Sequence, residues 1–118
     1  MPISEIQHAE VADLIARGEG VLVEALPEEV YAEGHLPGAV NIRPRRVVEL
    51  AKTLLPNLDE RIVVYCGSAE CDSSLRVAQR LVDLGYRDVH RYVGGKQDWV
   101  DEGRPIETPV RPSLGSCC

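Results

Sequence analysis

Phenylalanine is absent from this chain of 118 residues, and aromatic side chains together make up only 4%. An interior with so few rings has to be filled by Val, Leu, Ile and Ala, and the hydrophobic content of 44% is enough to do it. Long apolar runs are also missing: none approaches the roughly 20 residues a helix needs to cross a bilayer. Positive charge is in short supply, with 13 basic against 19 acidic side chains and a net charge of −6. Such a balance excludes nucleic acid and anionic membrane surfaces as general partners. The first residues, Met1-Pro2-Ile3-Ser4-Glu5, lack the basic-then-apolar pattern of an export signal. Cysteines do not spread along the chain as a disulfide framework would; the four are Cys66, Cys71, Cys117 and Cys118. The expected setting is therefore the reducing cytoplasm, where thiols stay free to react.

What the chain does have is a regular alternation of short apolar runs and amphipathic stretches. Ile3 can begin an edge strand, and Val21-Leu22-Val23, Ala39 to Ile42, Arg61 to Tyr65 and Asp88 to Val93 read as strands. Between them, Ala9 to Arg17, Pro27 to Tyr31, Arg45 to Leu55, Ser73 to Leu84 and Lys96 to Glu102 carry helical spacing. Short strands that are apolar on both faces, alternating with helices, predict a parallel sheet covered on each side. The length suits one domain.

In such sheets ligands bind beyond the carboxyl ends of the strands. Cys66 stands there, after Ile62-Val63-Val64-Tyr65 and before the polar loop Gly67-Ser68-Ala69-Glu70-Cys71-Asp72-Ser73-Ser74 that leads into a helix. Converging backbone amides and a helix start favour negative charge on sulfur, as a thiolate or a persulfide.

Several segments together resemble the rhodanese (sulfurtransferase) domain family. Ala32-Glu33-Gly34-His35-Leu36-Pro37-Gly38-Ala39-Val40-Asn41-Ile42 is similar to its E-G-H-I-P-G-A-x-N-I signature. The strand ending in Cys66 resembles the family's nucleophile strand, and Leu84-Gly85-Tyr86 and Gly94-Gly95-Lys96-Gln97-Asp98-Trp99 resemble its closing motifs. The resemblance implies an α/β fold: a rhodanese-like three-layer sandwich with a five-stranded parallel sheet flanked by helices. The domain would span 1–106, followed by a loosely ordered tail over 107–118. It implies a sulfurtransferase in which Cys66 takes sulfane sulfur as a persulfide and passes it to a thiophilic acceptor. Gly67, Ser68, Ala69, Glu70, Asp72 and Ser73 would form the loop that holds the charged sulfur, their amides aided by the Ser68, Ser73 and Ser74 hydroxyls. The partners implied are a small sulfur donor or protein persulfide donor and a thiol or protein acceptor, with no metal and no organic cofactor.

The same loop departs from the family pattern. It is longer, it carries Glu70 and Asp72 where cations are common, and Leu26 stands where an arginine is usual, with Glu24 at the preceding acidic position. Carboxylates beside a thiolate raise its pKa and repel anionic donors such as thiosulfate, unless they point outward into water. Arg43 and Lys96 are the candidate substrate-side cations, since both follow strand ends that should face one cleft. Cys71 is a candidate second thiol. It can resolve a persulfide or sulfenic acid on Cys66, relay sulfur, or pack beneath the loop.

Other readings compete. A phosphatase of the cysteine-dependent type needs an arginine where Asp72 stands, and a carboxylate there repels phosphate. A zinc site over Cys66 and Cys71 lacks the turn chemistry of a zinc knuckle. A binding module that keeps the fold without turnover, and a thiol-redox protein using a Cys66–Cys71 disulfide, remain the alternatives to sulfur transfer. His35 is expected to fix the Gly34–Gly38 turn. Cys117 and Cys118 form either a thiol shuttle, a lipid-attachment site or an incidental pair.

Overall fold

Strands in a parallel sheet covered on both faces have no polar side, which is why Ile62-Val63-Val64 reads as an unbroken apolar run. In the computed structural model, which describes residues 3–108, that run is the middle of the central strand. The elements follow one another as β1 (Ile3–Ile6), α1 (His8–Arg17), β2 (Val21–Glu24), α2 (Glu28–Glu33), β3 (Val40–Asn41), a 3-10 turn (Pro44–Arg46), α3 (Val47–Leu54), β4 (Arg61–Tyr65), α4 (Ser73–Asp83), β5 (Asp88–Tyr92) and α5 (Gly95–Asp101). The five strands pair in the order β1-β5-β4-β2-β3, every pair parallel. This is the α/β sandwich expected from the alternation.

The pleat sorts β4 into two cores. Ile62, Val64 and Cys66 face a cluster completed by Val47 and Ala51 of α3 and by Val77, Ala78 and Leu81 of α4. Val63 and Tyr65 face the other side, with Val11 and Leu14 of α1 and Trp99 of α5. Val77 and Leu81 are fully buried, and burial of each side chain contributes on the order of 1.5–3 kcal/mol. Trp99 and Tyr92 meet edge to face, with ring centroids 6.4 Å apart. The one tryptophan therefore does locally what a set of phenylalanines does elsewhere.

Two expected elements differ in detail. The helix predicted over Arg45 to Leu55 starts only at Val47, because Arg46 has a non-helical backbone (φ −108°, ψ 5°) and the Pro44 turn precedes it. The strand predicted over Ala39 to Ile42 pairs only at Val40 and Asn41, at the sheet edge, although the Ile42 amide still donates to the Glu24 carbonyl at 3.0 Å.

The turn after α2 is held from several sides. The His35 ring stacks on Tyr31, with centroids 4.0 Å apart, and the Tyr31 hydroxyl donates to the Ala39 carbonyl at 2.6 Å. His35 and Glu107 exchange two backbone hydrogen bonds of 2.8 and 2.7 Å. Glu107, placed by sequence in the tail, is thus tied to the domain. Residues 109–118, with Cys117 and Cys118, lie outside the described residues. No described helix is long and apolar enough to cross a membrane.

Candidate active site

β4 delivers Cys66 to the carboxyl edge of the sheet, and α5 fixes the backbone there. The Lys96 and Gln97 amides donate to the carbonyls of Cys66 and Gly67, each at 2.8 Å. This close approach needs glycine at 95: its φ is +70°, and a Cβ would stand 2.5 Å from the Cys66 carbonyl oxygen.

From that anchor the loop curls back and brings the Cys71 backbone against the Cys66 sulfur. Cys66 Sγ lies 3.2 Å from the Cys71 carbonyl oxygen and 3.4 Å from Ser74 Oγ, and the Ser74 amide also points at it. Around Cys71, the Cys66 thiol, the amide and hydroxyl of Ser73 and the Gly67 amide all favour a charge on sulfur. The Ser73 and Ser74 amides belong to the first turn of α4, where N–H groups have no partner within the helix. The ring of amides predicted around Cys66 is therefore divided: Gly67 and Ser73 serve Cys71, and Ser74 serves Cys66.

This division sets the proton balance. Burial pushes the Cys66 thiol above its ordinary value, and the hydrogen bond to Cys71 adds to that, with Ser74 offsetting only part. Burial also disfavours a charge on Cys71, but its donors outweigh that penalty and hold it below the ordinary thiol value. Of the reduced pair, Cys71, the more open of the two, is therefore the thiol that ionises first, while Cys66 is 1% exposed.

The cations and carboxylates are placed as follows. Ser68 Oγ donates to Glu70 Oε1 at 3.2 Å in an exposed contact, and Asp72, 75% exposed at its side chain, lies 3.8 Å from Arg76. Both carboxylates point into water, and Ala69 is exposed at the loop tip. The Lys96 ammonium binds Glu24 Oε2 at 2.9 Å and the Val30 carbonyl at 3.3 Å. Glu24 is wholly buried and also accepts from the Tyr65 hydroxyl at 2.7 Å. Its charge and the apolar surroundings hold the Tyr65 phenol well above its ordinary value, burial being the larger cause. Lys96 is in this way committed to an internal ion pair. Arg43, half-buried at the end of β3, has no hydrogen bond to the loop among the described residues.

The cation that does reach the loop is Arg91 of β5, which sequence reasoning missed. Its Nε donates to Ser74 Oγ at 2.9 Å and its terminal nitrogen to the Cys71 carbonyl at 3.3 Å. The signal was in the register: Arg91 pairs with Val64, which shares its face of the sheet with Cys66. A shallow, mostly apolar cavity of about 260 Å³ opens beside the loop, lined by Leu26, Val30, Gly67, Lys96, Gln97 and Val100. Among the described residues no three His, Cys, Asp or Glu side chains gather as a metal ion would require.

With a strand-ending cysteine under a curled loop at the edge of a β1-β5-β4-β2-β3 sheet, comparison with known families is decisive. The pattern described as Rhodanese-like domain matches residues 7–102. The chain belongs to the rhodanese-like domain family. It is similar to an HTH-type transcriptional regulator of Mycobacterium tuberculosis, Rv0324, at 37% identity over 115 residues, covering 89% of this chain and 48% of that protein. The chain therefore spans about half the length of that relative. It is also similar to the thiosulfate sulfurtransferase GlpE of Coxiella burnetii, at 26% identity over 99 residues, covering 84% of this chain and 89% of that one. Among solved structures, the BH2092 protein of Bacillus halodurans superposes with a TM-score of 0.82 at 27% identity, over 89% of this rhodanese-like chain and 77% of that one.

Proposed function

We propose that this rhodanese-like domain is a sulfurtransferase that takes sulfane sulfur onto Cys66 as a persulfide and passes it to a thiol or protein acceptor. The observation that carries this reading is the polar support of Cys66 Sγ: the Ser74 amide and hydroxyl reach it, and Arg91 in turn holds that hydroxyl. A thiolate attacks the outer sulfur of the donor, and the Ser74 amide and hydroxyl favour the resulting negative charge at Cys66. The similarity to proteins named thiosulfate sulfurtransferase supports the reaction class.

The donor is better served by a persulfide, small or carried on a protein, than by thiosulfate. The cavity beside Gly67 is mostly apolar, and its one cation, Lys96, is paired with Glu24. A doubly charged anion finds no free positive partner there, whereas an organic persulfide gains from apolar walls. Cys66 is 1% exposed, so donor access requires the loop around it to open.

The test is intact-mass analysis of the reduced protein after exposure to a low-molecular-weight persulfide or to thiosulfate, in a Cys71→Ser background that prevents internal resolution. The expected product is an adduct of about 32 Da, one sulfur atom, mapping to Cys66 and absent from the Cys66→Ser variant. No adduct with any donor would sink the reading and leave a rhodanese-fold binding module.

A further inference from the structure

The sulfurtransferase reading needs one cysteine in the loop, but the structure has two, with the Cys66 thiol 3.2 Å from the Cys71 carbonyl oxygen. Cys71 packs against the same apolar cluster that holds Cys66, yet it is half-open, and its carbonyl oxygen stands 3.2 Å from Cys66 Sγ, so the two residues are neighbours in space as well as in the loop. The Gly67 and Ser73 groups hold its thiol below the ordinary value, which favours the thiolate that an attack on Cys66 requires.

We propose that Cys71 resolves a persulfide on Cys66, so that the domain releases the transferred sulfur as sulfide and closes a Cys66–Cys71 disulfide. The inference rests on sulfur loading at Cys66. Cys71 Sγ attacks Cys66 Sγ; a new S–S bond forms between the two cysteines, and the bond from Cys66 to the outer sulfur breaks. The outer sulfur leaves with that bond's electron pair, and the one proton shared by the Cys71 thiol and the persulfide leaves with it as HS⁻. The two cysteine sulfurs are oxidised by two electrons in all, and the sulfane sulfur is reduced by two. An external dithiol then reopens the disulfide, attacking the accessible Cys71 sulfur and expelling the Cys66 thiol. The product of the cycle is sulfide, and its co-substrate is a two-electron thiol reductant.

Exposure is consistent with this order. A disulfide is reduced at the sulfur that a reductant can reach, and Cys71 is the open member of the pair while Cys66 is buried beneath it. The loop has the means to hold either state, because its ends are fixed independently of the sulfurs. α5 amides hold the Cys66 and Gly67 carbonyls, and Arg91 holds the Cys71 carbonyl.

The experiment loads reduced, anaerobic protein carrying Cys117→Ser and Cys118→Ser with one equivalent of a low-molecular-weight persulfide, without added thiol. Sulfide, protein mass and peptide maps are then followed. The expected result is about one equivalent of sulfide, a protein about 2 Da lighter than the reduced form, and a mapped Cys66–Cys71 disulfide. With Cys71→Ser, and independently Cys71→Ala, the 32 Da adduct should persist on Cys66 and sulfide release should fall by about tenfold or more. Retention of the adduct by the two-cysteine protein, with sulfide release no faster than in the Cys71 variants, overturns the proposal while leaving sulfur transfer intact. An adduct found on Cys71 in place of Cys66 overturns the assigned order. If the Cys71 variants take up no sulfur at all, the sulfurtransferase reading falls first, and this inference with it.

Discussion

Arg91 Nε donates to Ser74 Oγ at 2.9 Å, the same oxygen that lies 3.4 Å from Cys66 Sγ. A strand residue thereby acts on the thiol through a helix residue. Replacing Arg91 with Leu should slow alkylation of Cys66 by about threefold to tenfold, since a charge-assisted bond contributes roughly 1.5–3 kcal/mol to what it orders. Ser74→Ala should slow it similarly, and the double variant should be no slower than either alone, because both act through one hydroxyl. Rates of carbamidomethylation mapped to Cys66 check this; full additivity would contradict the relay.

The two thiols should separate in pH. The Cys66 value is raised, so its thiolate appears only at higher pH, and the Cys71 value is lowered, so its thiolate persists to lower pH. Near neutrality, limiting iodoacetamide should label Cys71 well ahead of Cys66, and the preference should narrow as the pH rises past the ordinary thiol value. Peptide mapping across a pH series is the measurement. Cys66 labelled first at neutral pH would refute the division of charge.

Gly95→Ala should destabilise the domain by about 2–4 kcal/mol, combining a positive φ with a clash at the Cys66 carbonyl. The Cβ has 2.5 Å where a backbone oxygen already stands, and no flexible side chain can yield. Urea unfolding reads the loss, and a variant within about 0.5 kcal/mol of the parent would show that the contact is slack.

Lys96→Met strands the Glu24 carboxylate, which is 0% exposed, and should cost about 3–5 kcal/mol. Adding Glu24→Gln removes the charge and keeps an acceptor for the Tyr65 hydroxyl, so the double variant should recover more than about 1 kcal/mol. Equilibrium unfolding of the three variants gives the coupling. A Lys96→Met protein as stable as the parent would mean the pair is not the buried ion pair its geometry describes.

Glu70→Gln and Asp72→Asn should change the alkylation rate of either thiol by less than about twofold, because exposed charges that face water are screened. A larger acceleration, removed by salt, would place their field on the sulfurs after all.

The sequence read the sheet well because its signals were local. Ile62-Val63-Val64 is apolar on both faces, and Gly85 and Pro27 punctuate helices whose stripes, such as Val77, Ala78 and Leu81, repeat at helical spacing. Cys66 was legible for the same reason: it ends a strand and precedes a helix. Arg91 was not, since its role depends on pairing with Val64, and register between distant segments is a tertiary fact. Lys96 looked like a free cation because sequence does not show that Glu24, 72 positions earlier in the chain, lies buried opposite it. The sequence places the loop's amides near sulfur, but which sulfur each one serves depends on how residues 67–73 curl. Spacing alone leaves that open.

Cys66 and Cys71 enclose just four residues, 67–70, and both ends of that short ring are pinned by bonds from α5 and Arg91. Each thiol therefore meets the other at an effective concentration fixed by the fold rather than by diffusion, on the order of molar or above when geometry is good. Under the proposed chemistry, an external thiol at about millimolar strength would compete for sulfur on Cys66 against a neighbour that never leaves. The lifetime of such a persulfide would then be set by the orientation of one side chain more than by the supply of acceptors.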